Sequence, residues 1–245
     1  MNRPIASSTK WPYGMVSLSR TEIHEKVMAI AQKEPRGRAL DVPTGTGILA
    51  ARLKKLGFEV QCCDIDPTYF SAPDLTLDIG DLNRSLPYPA DLFDLITCVE
   101  GIEHLENPFN AIREFSRVLK PGGKLILTLP NYLNIERRLR FLITGLFSKI
   151  PSPKKLGRDR FEHLYMLHLS PLTFPILRLM MEHCGFKILF LDRDKEKRRM
   201  RWLLPLVWAI RCYCSFWTEE KKEDYHLKET LSDPLIMGGN TLIVV

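Results

Sequence analysis

The stretch Ala39-Leu-Asp-Val-Pro-Thr-Gly-Thr-Gly47 constrains this chain more than any other. Ala39 to Val42 is a short apolar run that reads as a buried strand, interrupted by Asp41. An acid near the end of a buried strand needs a partner, because an unpaired carboxylate is costly to bury. Gly45 and Gly47, flanked by small Thr44 and Thr46, permit a tight turn and close backbone approach to a ligand. Ile48 to Leu56 reads as a helix, and Gly57 stands where a C-cap is expected. A second apolar run, Phe58 to Cys63, ends at Asp64. Strand, glycine turn, helix, strand and terminal acid form the layout of a nucleotide-binding unit, in which the last acid accepts hydrogen bonds from a ribose.

Two ligand classes compete for this layout. Gly45-Thr-Gly-Ile-Leu-Ala50 fits the dinucleotide fingerprint G-x-G-x-x-A, which places a pyrophosphate at the helix N-terminus. Asp41 would set negative charge beside that pyrophosphate. S-adenosylmethionine has no phosphate and carries an ammonium and a sulfonium, so charge attraction favours it. A NAD-binding oxidoreductase is the less favoured alternative.

Leu40-Asp-Val-Pro-Thr-Gly-Thr-Gly47 resembles the first motif, L-D-x-G-x-G-x-G, of class I S-adenosylmethionine-dependent methyltransferases. Pro43 stands where the first glycine is expected, and proline lacks an N–H. The expected consequence is a reshaped loop with one backbone donor fewer for the cofactor. It also keeps open the alternative of a non-catalytic S-adenosylmethionine-binding protein. Further along, Phe93-Asp94, Glu103-His104-Leu105, Arg113-Glu114 and Arg117-Val-Leu-Lys-Pro-Gly-Gly123 resemble the small-molecule members that modify quinones and glycans. The resemblance runs from about Ser19 to Asn131. It implies an α/β fold, a doubly wound, seven-stranded, mostly parallel Rossmann-like sheet with helical insertions. It also implies methyl transfer to oxygen or carbon of a small-molecule or lipid-linked acceptor.

Site residues follow from the two readings together. Asp41, Pro43, Gly45 and Gly47 should hold the methionine part of S-adenosyl-L-methionine, and Asp64 with Ile65 the ribose side. Leu75 to about Asp81 reads as a third strand. By the resemblance Asp81 meets the adenine amino group and the backbone of Leu82 the ring; the plainer role for Asp81 is to cap a turn. Leu92 to Cys98 reads as the fourth strand, and catalytic groups in open α/β sheets lie just past such strand ends. Glu100, Glu103 and His104 follow there. Glu100 is expected near the cofactor. Glu103 and His104 are the catalytic candidates, with His104 as general base because its ordinary pKa lies near neutrality. The competing reading makes both residues caps for the next helix.

The remaining segments define the expected organisation of a single domain. Residues 1–18 form an N-terminal arm, with Trp11-Pro-Tyr-Gly14 over the cofactor. Ser19-Arg-Thr-Glu22 fits a capping box, and Ile23, Val27, Ile30 and Ala31 share a helical face ending near Lys33. The core spans 19–131, including a helix from Asn107-Pro108, stopped at Lys120-Pro-Gly-Gly123, and a fifth strand over Lys124–Leu129. A basic amphipathic insertion spans 132–170. There Ile135, Leu139, Leu142, Ile143, Leu146 and Ile150 align, and His163, Tyr165 and His168 lie on a lid. A helix from Ser170-Pro171 should bury Leu172, Ile176, Leu179 and Met180, and Phe186–Leu191 should be the sixth strand. A second insertion spans 192–238. Its charge run Asp192–Arg201 reads as solvated, Trp202–Trp217 as an interfacial helix, a helix packed on the cavity or a subunit contact, and Glu219–Glu229 as mobile. Residues 239–245 carry a final strand that the resemblance places antiparallel between strands five and six.

Composition sets the partners. Residues 1–136 hold 15 Lys+Arg against 17 Asp+Glu, whereas residues 137–245 hold 20 against 12. The basic excess of the C-terminal half suggests an anionic membrane surface or an acidic substrate. Nucleic acid is not expected, because Cys98-Val-Glu-Gly101 lacks the [Asp/Asn]-Pro-Pro-aromatic motif of base-amine methylating enzymes. None of the six cysteines forms a C-x-x-C pair, and Met1–Lys10 has no apolar run. No metal site is expected, and the location expected is cytoplasmic, at most associated with the cytoplasmic face of a membrane.

Overall fold

A computed structural model describes residues 21–149 and 167–245. The arm with Trp11, the capping residue Ser19, Ile150, and the lid residues His163 and Tyr165 lie outside the described residues. Seven strands form one sheet: β1 (Arg38–Asp41), β2 (Glu59–Asp64), β3 (Leu77–Ile79), β4 (Phe93–Val99), β5 (Leu119–Pro130), β6 (Leu191–Arg193) and β7 (Thr241–Val244). Their order is β3-β2-β1-β4-β5-β7-β6. β7 runs antiparallel to both β5 and β6, and the other pairings are parallel. This is the expected doubly wound sheet with its inserted last strand. The chain leaves β1 toward β2 and β3, then returns to lay β4 on the other side. The crevice of such a sheet therefore opens above the C-terminal ends of β1 and β4.

Side chains alternate across the sheet, so each strand feeds two cores. On one face Leu95, Ile126 and Ile243 meet Ile23 and Val27 of α1 (Thr21–Ala31) and Leu49 and Leu53 of α2 (Ile48–Lys55). On the other, Ile96, Leu125 and Leu127 meet Ile112 and Phe115 of α3 (Pro108–Val118). α3 starts where its sequence dictates: the Asn107 side chain accepts the Asn110 N–H at 3.1 Å, and Pro108 occupies the first turn.

Several sequence expectations shift. The third strand is only Leu77–Ile79. β5 begins at Leu119, because Leu119 pairs with Phe93 before the Pro-Gly-Gly turn interrupts the register. The sixth strand is Leu191–Arg193 rather than Phe186–Leu191. Leu189 and Phe190 bond only the terminal Val245, and the regular ladder starts where β7 offers Val244. Part of the charge run is therefore sheet, and Asp194 is buried. α4 (Ile135–Thr144) stops at Gly145, which is left-handed. Its expected apolar face is only half used: Ile135 is buried, but Leu142 and Ile143 are each 81% exposed. α5 (Phe174–His183) buries Phe174, Leu177, Met180 and Met181; of the expected residues Leu172 and Met180 are buried, whereas Ile176 and Leu179 are left in solvent. The stretch from Glu219 holds two short helices, Glu219–Asp224 and Leu227–Thr230.

One network fixes the loop after β3. Glu114 on α3 accepts the Leu86 N–H at 2.6 Å and both Nε and Nη2 of Arg117, at 2.9 and 2.6 Å. Arg117 in turn donates to the carbonyls of Tyr88 and Leu86. These contacts hold the Glu114 carboxyl below its ordinary pKa, with the Arg117 hydrogen bonds as the largest cause. Glu114→Ala should destabilise the fold by about 2 kcal/mol, since it strands a half-buried guanidinium and an amide. The check is the shift of the urea midpoint at constant m-value.

Candidate active site

A cavity of about 460 Å³ opens above the C-terminal ends of β1, β2 and β4. Its walls carry Asp41, Pro43, Gly45, Asp64, Ile65, Asp81, Leu82, Glu100, Glu103 and His104. Gly47 alone of the expected residues is not on the wall. Its φ is +80°, and a Cβ there would lie 2.7 Å from the Ala72 side chain and 2.9 Å from that of Phe70. It is a glycine for packing of the turn.

Asp41 ends β1 and is 1% exposed. Each carboxylate oxygen has a hydroxyl partner: Thr44 donates to Oδ2 at 2.8 Å and Thr97 of β4 to Oδ1 at 2.7 Å. Burial nevertheless pushes its pKa up to about 6, and the nearby Asp64 charge adds to the rise. Asp64 ends β2. It accepts the Gly45 N–H at 2.7 Å and the Asp66 N–H at 3.1 Å. The Thr44 and Gly47 amides donate to the Cys63 and Thr44 carbonyls. The glycine turn thus directs three of its amides onto the protein. Pro43 follows a cis peptide bond, and its ring fills the space above Gly101, where a Cβ would come within 2.3 Å of Pro43 Cδ. Gly101 is therefore the complement of the proline that replaces the motif's first glycine.

Past β3, Leu82 is buried on the wall, and its carbonyl accepts from Asn110. Asp81 reaches the cavity while its Oδ1 accepts the Asn83 N–H at 2.8 Å. It caps the turn it sits on. Past β4, Glu100 adopts a left-handed φ of 49°, a conformation that a residue with a side chain holds only under constraint. The constraint is visible. Its N–H donates to Thr128 Oγ1 of β5 at 2.9 Å, and its carboxylate accepts from Thr241 Oγ1 of β7 at 3.1 Å.

Glu103 and His104 lie on a single 3₁₀ turn, Ile102–His104. They do not cap α3, a role taken by Asn107. Glu103 is 1% exposed, and neither carboxylate oxygen has a hydrogen-bond partner. Burial drives its pKa up to about 8, so near neutrality it is largely a neutral acid. His104 Nδ1 lies 3.0 Å from the Leu167 carbonyl. A carbonyl only accepts, so Nδ1 carries the proton, and in the neutral ring Nε2 is the basic nitrogen. His168 meets His104 edge to face at 4.9 Å, with Tyr132 Oη 3.5 Å from its Nδ1. Burial holds His168 below its ordinary pKa, and His104 and Arg137 push the same way. Ser170 anchors this segment by donating from Nα to the Glu103 carbonyl and from Oγ to the Leu105 carbonyl.

Sequence reasoning missed His168 as a site residue, because nothing local ties it to His104. It also missed His24, which reaches the wall from α1 and has its pKa lowered by burial to about 4. The signal was its place beside Ile23 on the inward face of that helix. The metal question also looks different in three dimensions. One potential ligand atom each from Glu103, His104 and His168 falls within 4.8 Å of the others, a donor set compatible with a divalent cation.

The comparisons agree with this geometry. Residues 16–191 match the family described as the methyltransferase domain. The chain belongs to that family, the class I S-adenosylmethionine-dependent methyltransferases. Among curated proteins, the ubiquinone biosynthesis O-methyltransferase of Xanthomonas axonopodis pv. citri (strain 306) is 36% identical over 111 residues. The match covers 41% of this chain and 46% of that protein, so this chain aligns with under half the length of the relative. Among solved structures, an S-adenosylmethionine-dependent methyltransferase from Archaeoglobus fulgidus superposes with a TM-score of 0.56 at 17% identity, covering 90% of this chain and 92% of that one. Phosphoethanolamine N-methyltransferase 2 of Haemonchus contortus, in complex with S-adenosyl-L-methionine, gives 0.54 at 13%, covering 94% and 53%. At these identities the structural likeness is one of fold.

Glu103 makes a checkable mark on stability. Its folded pKa of about 8 lies above the unfolded value of 4.5, so the folded state binds more protons than the unfolded state between those limits. Stability should therefore fall as pH rises through that window, by roughly 1 kcal/mol per unit. Glu103→Gln should flatten the dependence. Urea titrations of both proteins between pH 5 and about 8.5 read it directly.

Proposed function

We propose that this protein transfers the methyl group of S-adenosylmethionine to a hydroxyl oxygen of a small, amphiphilic, lipid-linked acceptor. The observation that carries the reading is the pair of buried carboxylates, Asp41 and Asp64, on the wall of one cavity with the turn amides directed onto protein acceptors. A pyrophosphate needs free amides and is repelled by Asp41, whereas a sulfonium and an ammonium are attracted by it; Asp64 suits the ribose of either ligand. Asp64, Asp81 and Leu82 then face the nucleoside. The curated relative's O-methyltransferase name supports oxygen as the acceptor atom.

In this reading the acceptor oxygen enters beside His104. The oxygen–methyl bond forms as the methyl–sulfur bond breaks in line, the sulfur leaving as a neutral thioether. The acceptor proton passes to His104 Nε2, the basic nitrogen of the tautomer that the Leu167 contact selects. Glu103 and His168 line the acceptor end beside His104, and most of the rate comes from positioning.

Two measurements test this. Ionised Asp41 attracts the cofactor, so binding should weaken as pH falls through about 6, the carboxyl's own pKa, with proton release on binding below it. Asp41→Asn should lose this dependence and bind at least about tenfold more weakly by calorimetry. Wild-type affinity in the variant would sink the electrostatic role. Methyl-labelled cofactor offered with phenolic lipid acceptors should give labelled ether, with kcat down about 10²-fold or more in His104→Ala at unchanged cofactor affinity. Cofactor binding without any label transfer would favour a non-catalytic binder.

A further inference from the structure

The segment between β6 and β7 leaves the sheet at the edge where the cavity opens. β5 finishes at Pro130 opposite the first residue of β7, Thr241. The Asn131 N–H then donates to the Asn240 carbonyl. Within the segment, a 3₁₀ turn (Arg198–Leu203) leads into α6 (Leu204–Ser215). α6 packs inward through Leu203, Val207 and Ile210 onto Ile135 and Leu139 of α4 and onto Ile236 and Met237.

The opposite stripe of α6 is what an ordinary surface helix does not show. At helical spacing it reads Pro205, Trp208, Ala209, Cys212 and Phe216, without one charged residue. A helix apolar on all sides is normally buried on all sides. Here Trp208 is 72% and Phe216 83% exposed, and Trp202, just ahead, is 72% exposed. The helix's one charge, Arg211, is drawn sideways onto the Leu231 carbonyl and Asp233. Immediately before Trp202 stand Arg198, Arg199 and Arg201, all exposed. Among the described residues none of the three forms an ion pair. No helix among the described residues is long and apolar enough to cross a membrane.

We propose that this outer face of α6, with the three arginines, docks the protein on an anionic lipid surface. Tryptophan and phenylalanine enter the headgroup boundary, and the guanidiniums meet lipid phosphates. Charge complementarity selects lipid over a second copy of the chain. The outer stripe carries no carboxylate that a second copy could offer to the three arginines, whereas a phosphate surface neutralises them. The proposal rests on the reading of a lipid-linked acceptor, and docking at the sheet edge where the cavity opens places that acceptor beside the site.

Flotation of the full chain with phosphatidylcholine vesicles, with and without phosphatidylglycerol, tests it. The protein should float with the anionic vesicles at low salt and be released as salt rises. The double substitution Trp208→Glu, Phe216→Glu should cut vesicle binding about tenfold or more, with the melting temperature unchanged because both side chains are in solvent. The triple substitution Arg198→Gln, Arg199→Gln, Arg201→Gln should remove the preference for phosphatidylglycerol. Wild-type protein left unbound at low salt would overturn the proposal, as would a double variant that floats like wild type. Light scattering that shows a dimer lost in the double variant would assign the face to a second copy and overturn it as well. Calorimetry with S-adenosylmethionine on the same samples separates the two readings. Cofactor binding without flotation sinks the docking surface alone, and flotation without cofactor binding sinks the enzyme.

Discussion

The hydroxyl-bridged carboxylate of Asp41 is the contact on which the site depends. Thr97 reaches it from β4 and Thr44 from the glycine turn, so one side chain ties together the two strands whose divergence creates the crevice. Without the hydroxyls, a carboxylate this deeply buried would be protonated more firmly or expelled. With them its pKa stays near 6, so that near neutrality it is largely ionised despite its burial. Asp64 repeats the device one strand over, with backbone amides in place of hydroxyls.

The far side of the cavity is built by a different means. Glu100 is forced into a left-handed conformation by threonines on β5 and β7, and only the antiparallel insertion of β7 brings Thr241 there. Two asparagines then clasp the following segments. Asn131 donates to the Leu235 carbonyl at 2.8 Å, and Asn134 donates to the Asn131 and Gly239 carbonyls at 3.0 and 2.9 Å. Both are buried. The insertions at the acceptor end are therefore fastened to the sheet by hydrogen bonds, whose geometry is directional, and not by apolar contact alone.

This difference in construction explains what the sequence could and could not reveal. Asp41, Gly45 and Asp64 lie within one strand-turn-helix-strand unit, where local periodicity and glycine spacing carry the information. The expected sheet order and the place of the last strand follow from that unit and the family resemblance. Glu103 and His104 were legible because they sit just past a strand end. Their partner His168 was not, since its position depends on Ser170 reaching back to Glu103 and Leu105, a contact with no local signature. The phase errors have a similar origin. Ile176, Leu179, Leu142 and Ile143 fit a helical stripe, yet the structure leaves them in solvent, because an apolar residue at the right spacing shows amphipathicity without naming the neighbour it packs on. Pro43 was read as a missing amide. The structure adds the counterpart, Gly101, whose missing Cβ makes the room that proline fills.

The two ends of the cavity differ in charge, and methyl transfer needs that difference. In the proposed reaction the positive charge starts on the sulfonium, on the side of the cavity that carries the β1 carboxylate. At the end the sulfur is neutral, and the charge has moved as a proton to the acceptor side. A part-buried imidazolium there would be favoured by a counter-charge forming with it. Glu103 can supply one. It is neutral while the cofactor is loaded, because burial holds its pKa near 8. A proton on His104 would lower that pKa by direct attraction and draw the carboxyl into its ionised form. Under the proposed function, the oxygens of Glu103 that lack partners among the described residues would become acceptors in the product state. An acid that looks unsatisfied in isolation is thus consistent with a site whose charge changes places in each turnover.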